Sequence, residues 1–175
     1  MNEISLQAMT RELCHALFRH WENDPDIYDD LSLFKAFQYD PAWADRYFDA
    51  KQRPDRVLLA VMLEGRPIGE VQLKQIDREK KICVMSIHMQ NDGVKNKGYG
   101  TAAERLALDC AFGTLGLDAV LADCIRKNTR SQHVLQKAGF RHVRDEGIFR
   151  YYQCDRVSYQ ALRPTQSESG KDDLI

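Results

Sequence analysis

The feature that most restricts this chain is a change of period at Arg56. "VLLAVML" (57–63) and "PIGEVQLKQI" (67–76) read as two strands joined by a Glu64-Gly65-Arg66 turn, the composition of a hairpin. A charged turn at Asp77–Lys81 leads into "ICVMSIHMQ" (82–90), with Val84, Ser86, His88 and Gln90 on one face and Met85, Ile87 and Met89 on the other. The period then changes again. Gly98-Tyr99-Gly100 runs straight into an amphipathic helix over Gly100–Leu115, stopped by Gly116. "AVLADCI" (119–125) is a continuous apolar run, as expected of a strand covered on both faces.

The flanking segments extend this pattern. A short strand is expected at Ile4–Gln7 and a helix at Met9–His20, where Leu13, Ala16, Leu17 and His20 fall at helical spacing. A second helix begins in "DPAWADRYFDAKQ", with Asp40 as cap and Pro41 in the first turn. Asn128 or Thr129 starts a helix that Gly139 closes, and two strands, Arg141–Tyr152 and Arg156–Leu162, are expected to turn at "QCD". In the Gly100–Leu115 helix the charges Glu104, Arg105 and Asp109 are expected on one outward side, with Arg105 and Asp109 paired. The fold class is α/β (α+β): one domain over residues 1–163, a mixed, mostly antiparallel central sheet flanked by helices, with the polar segment 164–175 expected to be disordered.

Charge and composition exclude several functions. A formal net charge of -1, with no block of Lys and Arg, gives a nucleic-acid partner no electrostatic footing. No apolar stretch is long enough to span a bilayer, and the first residues lack the apolar core of a signal peptide, so a cytoplasmic location without membrane attachment is expected. The five cysteines, Cys14, Cys83, Cys110, Cys124 and Cys154, are scattered without a CxxC pair, which reads as reduced thiols and no metal site.

The glycine loop admits three anion-binding readings. A triphosphate-binding P-loop fails, because Tyr99 stands where the lysine of GxxxxGK[ST] belongs. "GYGTAA" matches the dinucleotide pattern GxGxxA, but Asp118 precedes the second strand and cannot serve as the ribose acid that should follow it. The third reading is a strand–loop–helix whose unsatisfied backbone N–H groups receive a pyrophosphate, helped by the charges of Lys95 and Lys97 and the hydroxyl of Thr101. A plain strand-to-helix turn remains the alternative until the next segment is considered.

That segment is "NTRSQHVLQKAGF" (128–140), following the apolar strand at once. Together with "KNKGYG" (95–100) it resembles the GCN5-related N-acetyltransferases, whose signature is [QR]xxGx[GA] followed by NxxSxxxLxKxGF. "WENDPD" (21–26) is further similar to the RimJ/RimL-like group, the ribosomal-protein-alanine N-acetyltransferases. The resemblance spans residues 4–162 and makes residues 1–163 the acetyltransferase domain. It implies acetyl-CoA as co-substrate, with the amides of Asn96, Lys97, Gly98, Tyr99, Gly100 and Thr101 on its pyrophosphate and Lys95 beside them. It further implies Met89 and Gln90 along the pantetheine arm, Asn128 hydrogen-bonded to that arm or to its neighbouring backbone, and Lys137 near the nucleotide phosphate. Lys95 departs from the usual Gln or Arg. Leu135 stands where many members carry a tyrosine that protonates the leaving thiolate, and in RimL-like relatives Ser131 is the implied substitute.

Acetyl transfer to an amine sets its own requirements. The amine attacks only when neutral, so a proton acceptor must be close, directly or through water. A backbone N–H near Gln90 would steady the oxyanion. His88, at the strand end, and Glu70, on the neighbouring strand, are the candidate catalytic residues alongside Ser131; each also admits a purely structural role. Tyr151 and Tyr152 are candidates for the acceptor pocket, and Cys124 is expected to be packing rather than a nucleophile. The acceptor is either a small-molecule amine or a protein N-terminus, with the early acids Glu22, Asp24, Asp26, Asp29 and Asp30 able to attract a cation. The protein is expected as a monomer or homodimer. The alternative function is a non-catalytic acyl-CoA-binding regulatory module, for which Leu135 leaves room.

Overall fold

Two left-handed residues, Glu64 and Gly65 (φ 49° and 77°), close the hairpin between β2 (Val57–Leu63) and β3 (Arg66–Asp77). Two successive positive φ values match the twist of paired strands. The computed structural model describes residues 3–163. β1 (Ile4–Ala8) pairs antiparallel with β2, and β4 (Ile82–Met89) with β3 after a turn in which Asp77 accepts the N–H groups of Glu79 and Lys80. β5 (Ala119–Ile125) then lies parallel to β4, which requires the crossover helix α3 (Tyr99–Asp109) between them. The sheet has seven strands in the order β1-β2-β3-β4-β5-β7-β6, with β6 (Arg141–Glu146) and β7 (Phe149–Asp155) as a terminal hairpin.

The two faces of β2 explain why "VLLAVML" has no polar alternation. Leu59 and Val61 enter one core with Val71, Leu73, Met85 and the α3 residues Ala103, Ala107 and Leu108. Leu58, Ala60 and Met62 enter a second core with Cys14, Leu17 and Phe18. That second core is roofed by α1 (Arg11–Phe18), capped by Thr10, and α2 (Pro41–Lys51), capped by Asp40, whose carboxylate accepts the N–H groups of Ala42 and Trp43. α4 (Thr129–Ala138) packs beside α3 and ends at Gly139, left-handed with φ 112°.

Three expectations are corrected. The chain reverses at Gly147 (φ 56°), not at "QCD", and 156–162 is helix α5 (Arg156–Leu162) rather than a strand. Its start is chemical: Asp155 accepts the N–H of Ser158 at 2.8 Å, and Tyr159 alone is buried, on a helical face. The helix after the glycine loop widens into a π turn over Cys110–Thr114 before Gly116. The charged stripe of α3 also splits. Arg105 reaches the carbonyl of Lys137 (2.7 Å) and Asp109 pairs with Arg163 (3.0 Å), while Glu104 turns inward and is 1% exposed. Residues 164–175, expected to be disordered, lie outside the described residues.

Candidate active site

β4 and β5 pair only through Ile82–Val84 and Ala119–Leu121, then diverge. Which backbone groups face the resulting gap follows from the ladder on the other side. The N–H of Gln90 donates to the carbonyl of Ile68 (2.8 Å), which makes Gln90/Ile68, His88/Glu70 and Ser86/Gln72 the hydrogen-bonded pairs. Antiparallel ladders alternate, so Ile87 and Met89 turn their N–H and C=O groups away from β3 and into the gap. The carbonyl of Gln90 accepts the N–H of Glu22, and its side chain donates to the carbonyl of Leu17. Gln90 therefore ties the strand end to α1, and the donor that register turns toward the gap at the strand end is Met89, within the stretch the sequence suggested.

The gap opens into a cleft of about 330 Å³ that passes through the sheet. Met85, Ile87, Met89 and Glu104 line it from the α3 side, Ser86, His88 and Trp21 from the α1–α2 side, and Asn128, Ser131 and Leu135 from α4. At one mouth lies the glycine loop. Asn96 (φ 59°) and Gly98 (φ 82°) are left-handed, and Gly98 caps α3 without a side-chain hydrogen bond. Among the described residues, the backbone N–H groups of Asn96 to Thr101 find no protein acceptor. Six unpaired donors at the positive end of a helix are an arrangement able to receive an anion.

The two loop lysines differ. Lys97 is exposed, whereas the Lys95 side chain is only 9% exposed and its ammonium bonds Asp24 (2.7 Å) and Asp92 (3.0 Å). Burial alone would raise the Asp24 carboxyl, but the hydrogen bond and charge of Lys95 outweigh it and hold it below the usual range. Arg130 joins the same network through Asp26 (3.0 Å), and Lys127 bonds the carbonyl of Asp29. Most of the early acids are thus neutralised within the fold, and their task is to fasten the N-terminal loop to α4 and the glycine loop. Glu22 lines the cleft.

Beneath His88 lies a polar network that sequence reading did not find. The Tyr47 hydroxyl donates to Glu70 Oε1 (2.6 Å), and Gln72 Nε2 donates to the same oxygen (2.9 Å) and to the Tyr47 oxygen (3.1 Å). Arg56 donates to Gln72 Oε1 (3.2 Å). Among the described residues Glu70 Oε2 is buried without a partner, and His88 Nδ1 stands 3.8 Å from Oε1, beyond direct hydrogen bonding. Burial lowers the His88 pKa, and the Glu70 charge only partly opposes this, so the ring is neutral at pH 7 and can accept a proton. Burial and the Glu70 charge keep the Tyr47 hydroxyl protonated, so it donates to Glu70 while its oxygen accepts from Gln72.

The remaining candidates sort by position. Asn128 caps α4 by accepting the N–H of Ser131 (3.0 Å), and both line the cleft. Lys137 is exposed near the far end of α4, where its carbonyl holds Arg105. Cys124 lines the cleft but burial raises its thiol pKa, as suits packing. Neither expected acceptor tyrosine belongs here: Tyr152 is buried in the larger core, and Tyr151 lies under the Arg144 guanidinium at 4.0 Å. Both sit on β7, beyond β5, because the final turn falls at Gly147. Among the described residues, no group of three His, Cys, Asp or Glu side chains is placed to hold a metal ion.

Fold and cleft together define an α/β protein whose sheet opens beside the free N-terminus of a crossover helix. The chain belongs to the acetyltransferase (GNAT) domain family, whose model matches residues 3–141. A Bacillus subtilis (strain 168) protein described as "Probable N-acetyltransferase YjcK" is 29% identical over 132 residues, 71% of each chain. Among solved structures, a mutant of the Vibrio cholerae spermidine N-acetyltransferase SpeG superposes with a TM-score of 0.72 at 16% identity, covering 90% of this chain and 96% of that one. The aminoglycoside acetyltransferase AAC(6')-Ib, in complex with coenzyme A and kanamycin, gives 0.74 at 17%, covering 93% and 100%. At these identities the structural likeness is one of fold.

Proposed function

We propose that this protein is a cytoplasmic acetyl-CoA-dependent N-acetyltransferase that moves an acetyl group directly to a primary amine. The observation that carries this reading is the run of acceptor-free amides from Asn96 to Thr101 opening on the same cleft as the backbone of Ile87 and Met89. In this reading the loop amides hold the pyrophosphate, aided by Lys97, and the pantetheine arm lies in the gap as an extra strand. Acetyl-CoA supplies the acetyl group as an activated thioester. Asn128 orients the arm from α4.

The amine enters on the His88 side of the sheet, and the Met89 N–H steadies the charge that develops on the carbonyl oxygen. Neutral His88, directly or through one water, accepts the amine proton, with Glu70 beneath it favouring the protonated ring. Because both substrates meet in one cleft, no acyl-enzyme is needed and proximity supplies much of the rate.

Trp21 beside His88 (ring centroids 6.4 Å) and the half-satisfied Glu70 carboxylate support a small cationic amine as acceptor. The names of the solved relatives, for spermidine and aminoglycosides, support the same class. The RimJ/RimL-like motifs favour a protein α-amine as the second acceptor class. The test is acetyl-CoA titration by calorimetry together with free-thiol release across polyamines, aminoglycosides, amino acids and N-terminal peptides, with an enzyme-only blank for the five cysteines. Thiol release with an acetylated amine found by mass spectrometry is expected. Tight binding with no turnover on any amine would instead support the acyl-CoA-binding module.

A further inference from the structure

Among the described residues, a carboxyl on the second turn of α3 has no hydrogen-bond or ion-pair partner. Glu104 is 1% exposed, its Oε2 has no hydrogen-bond partner, and it lines the cleft with Met85, Ala122, Ser131 and Leu135. It follows Gly100 by one helical turn, on the buried face with Ala107, Leu108 and Ala111, below the loop amides and beside the gap. A buried carboxylate without a partner is costly, so the group rests protonated, its pKa pushed up to about 8 by burial alone. A neutral carboxylic acid facing such a cleft is a proton donor.

This matters because the departing thiolate needs a proton and Leu135, on the facing wall, has none to give. We propose that Glu104 is the general acid of the transfer, delivering its proton to the thiolate sulfur as the carbon–sulfur bond breaks. The assignment rests on the acetyl-transfer reading above. The acetyl carbon forms its bond to the amine nitrogen, the electron pair of the broken bond stays on sulfur, and Glu104 is left as a carboxylate. The proton surrendered by the amine leaves through His88 and water, and solvent reprotonates Glu104 before the next turnover.

The other titratable groups facing the cleft are Glu22 and Asp24 on the N-terminal loop, His88 on β4, Lys95 before α3, Asp123 and Cys124 on β5, and Arg130 on α4. His88 is lowered and Cys124 raised, so neither accounts for a loss of activity centred near Glu104's range. The test compares wild type, Glu104→Gln and Glu104→Met, each checked for folding by near-UV circular dichroism. It measures acetyl-CoA affinity by calorimetry and kcat from pH 6 to 10 with one accepted amine.

The two variants are expected to keep acetyl-CoA affinity within about twofold while kcat falls about 10²-fold or more, and to lose the alkaline decline specific to the wild type. If wild type turns over and either folded variant matches its rate and profile, the general-acid role is refuted while the transfer reading stands. If wild type transfers acetyl to no amine, both fall together. Ser131→Ala separates the rival donor: a comparable loss there, with Glu104→Met near wild type, would give the role to Ser131.

Discussion

Replacing Gly98 by alanine tests the anion seat with its energetics stated in advance. Gly98 has φ 82°, and a Cβ there would meet no atom within 4 Å, so any cost is backbone strain rather than collision. Holding a non-glycine residue left-handed costs about 1–2 kcal/mol. If the loop keeps its shape, Tm falls by about 2–8 °C in a chain of this size, with acetyl-CoA affinity unchanged. If the loop relaxes instead, the amides from Asn96 to Thr101 lose their common aim, and each 1.4 kcal/mol of lost binding weakens affinity about tenfold. Gly100→Ala is the contrasting variant. Gly100 is helical, and its added methyl would sit 3.7 Å from Val134 Cγ1, an ordinary contact. Stability should hold or rise by about 0.5–1 kcal/mol, as for Gly to Ala in a helix. Affinity for acetyl-CoA should stay within about twofold, because the methyl points at α4 and leaves the loop amides free, as the alanine allowed at this position of the signature implies. Differential scanning calorimetry and titration calorimetry read the two effects separately. Wild-type Tm together with wild-type affinity in Gly98→Ala, or a loss of affinity as large in Gly100→Ala as in Gly98→Ala, would refute this reasoning about the loop.

Three further outcomes follow from the cleft. Lys95→Met should cost about 1.5–3 kcal/mol of stability by leaving the Asp24 carboxylate without its ammonium, whereas Lys97→Ala should leave Tm unchanged and weaken acetyl-CoA binding in a salt-dependent way; denaturant melts and calorimetry at two ionic strengths distinguish them. His88→Gln should lower kcat/KM about 10²-fold and abolish its acidic limb. The lowered His88 pKa also means the unfolded chain protonates first, so wild-type stability should decline as pH falls below about 6.5, and less so in this variant. For Glu104 the sign reverses. The unfolded carboxyl releases its proton above 4.5 and the folded one holds it to about 8, so stability is lost as pH rises through that window, on the order of 5 kcal/mol in total. Glu104→Met should remove that dependence, and the same stability difference between pH 5 and 8 in wild type and variant, read from urea melts, would contradict it.

The strands and helices from residue 4 to Gly139 were legible because local chemistry and burial agree there. Asp40 and Pro41 start α2 whatever it packs against, and Glu64-Gly65 makes a hairpin turn by conformation alone. The ending was misread because "DRVS" carries two messages. Alternation suggests a strand, yet the Asp155 carboxylate reaching the N–H of Ser158 starts a helix, and local capping prevailed. Glu104 was misread for the opposite reason. Its charge suggested the surface, while its spacing from Gly100, Ala107, Leu108 and Ala111 put it on the buried face, and that spacing was visible in the sequence.

By itself, then, the sequence determined the antiparallel strands, the glycine-capped crossover helix, and the two motifs that announce the family, all properties of residues near one another along the chain. The tertiary structure alone decided the rest. Only strand register shows that Met89 rather than Gln90 offers its N–H to the gap, and only packing commits Lys95 to Asp24 and seats Glu70 on Tyr47 and Gln72. The physical reason is separation: Lys95 and Asp24, or Tyr47 and Glu70, are distant in sequence, so their charges and hydrogen bonds acquire partners only when the sheet brings them together.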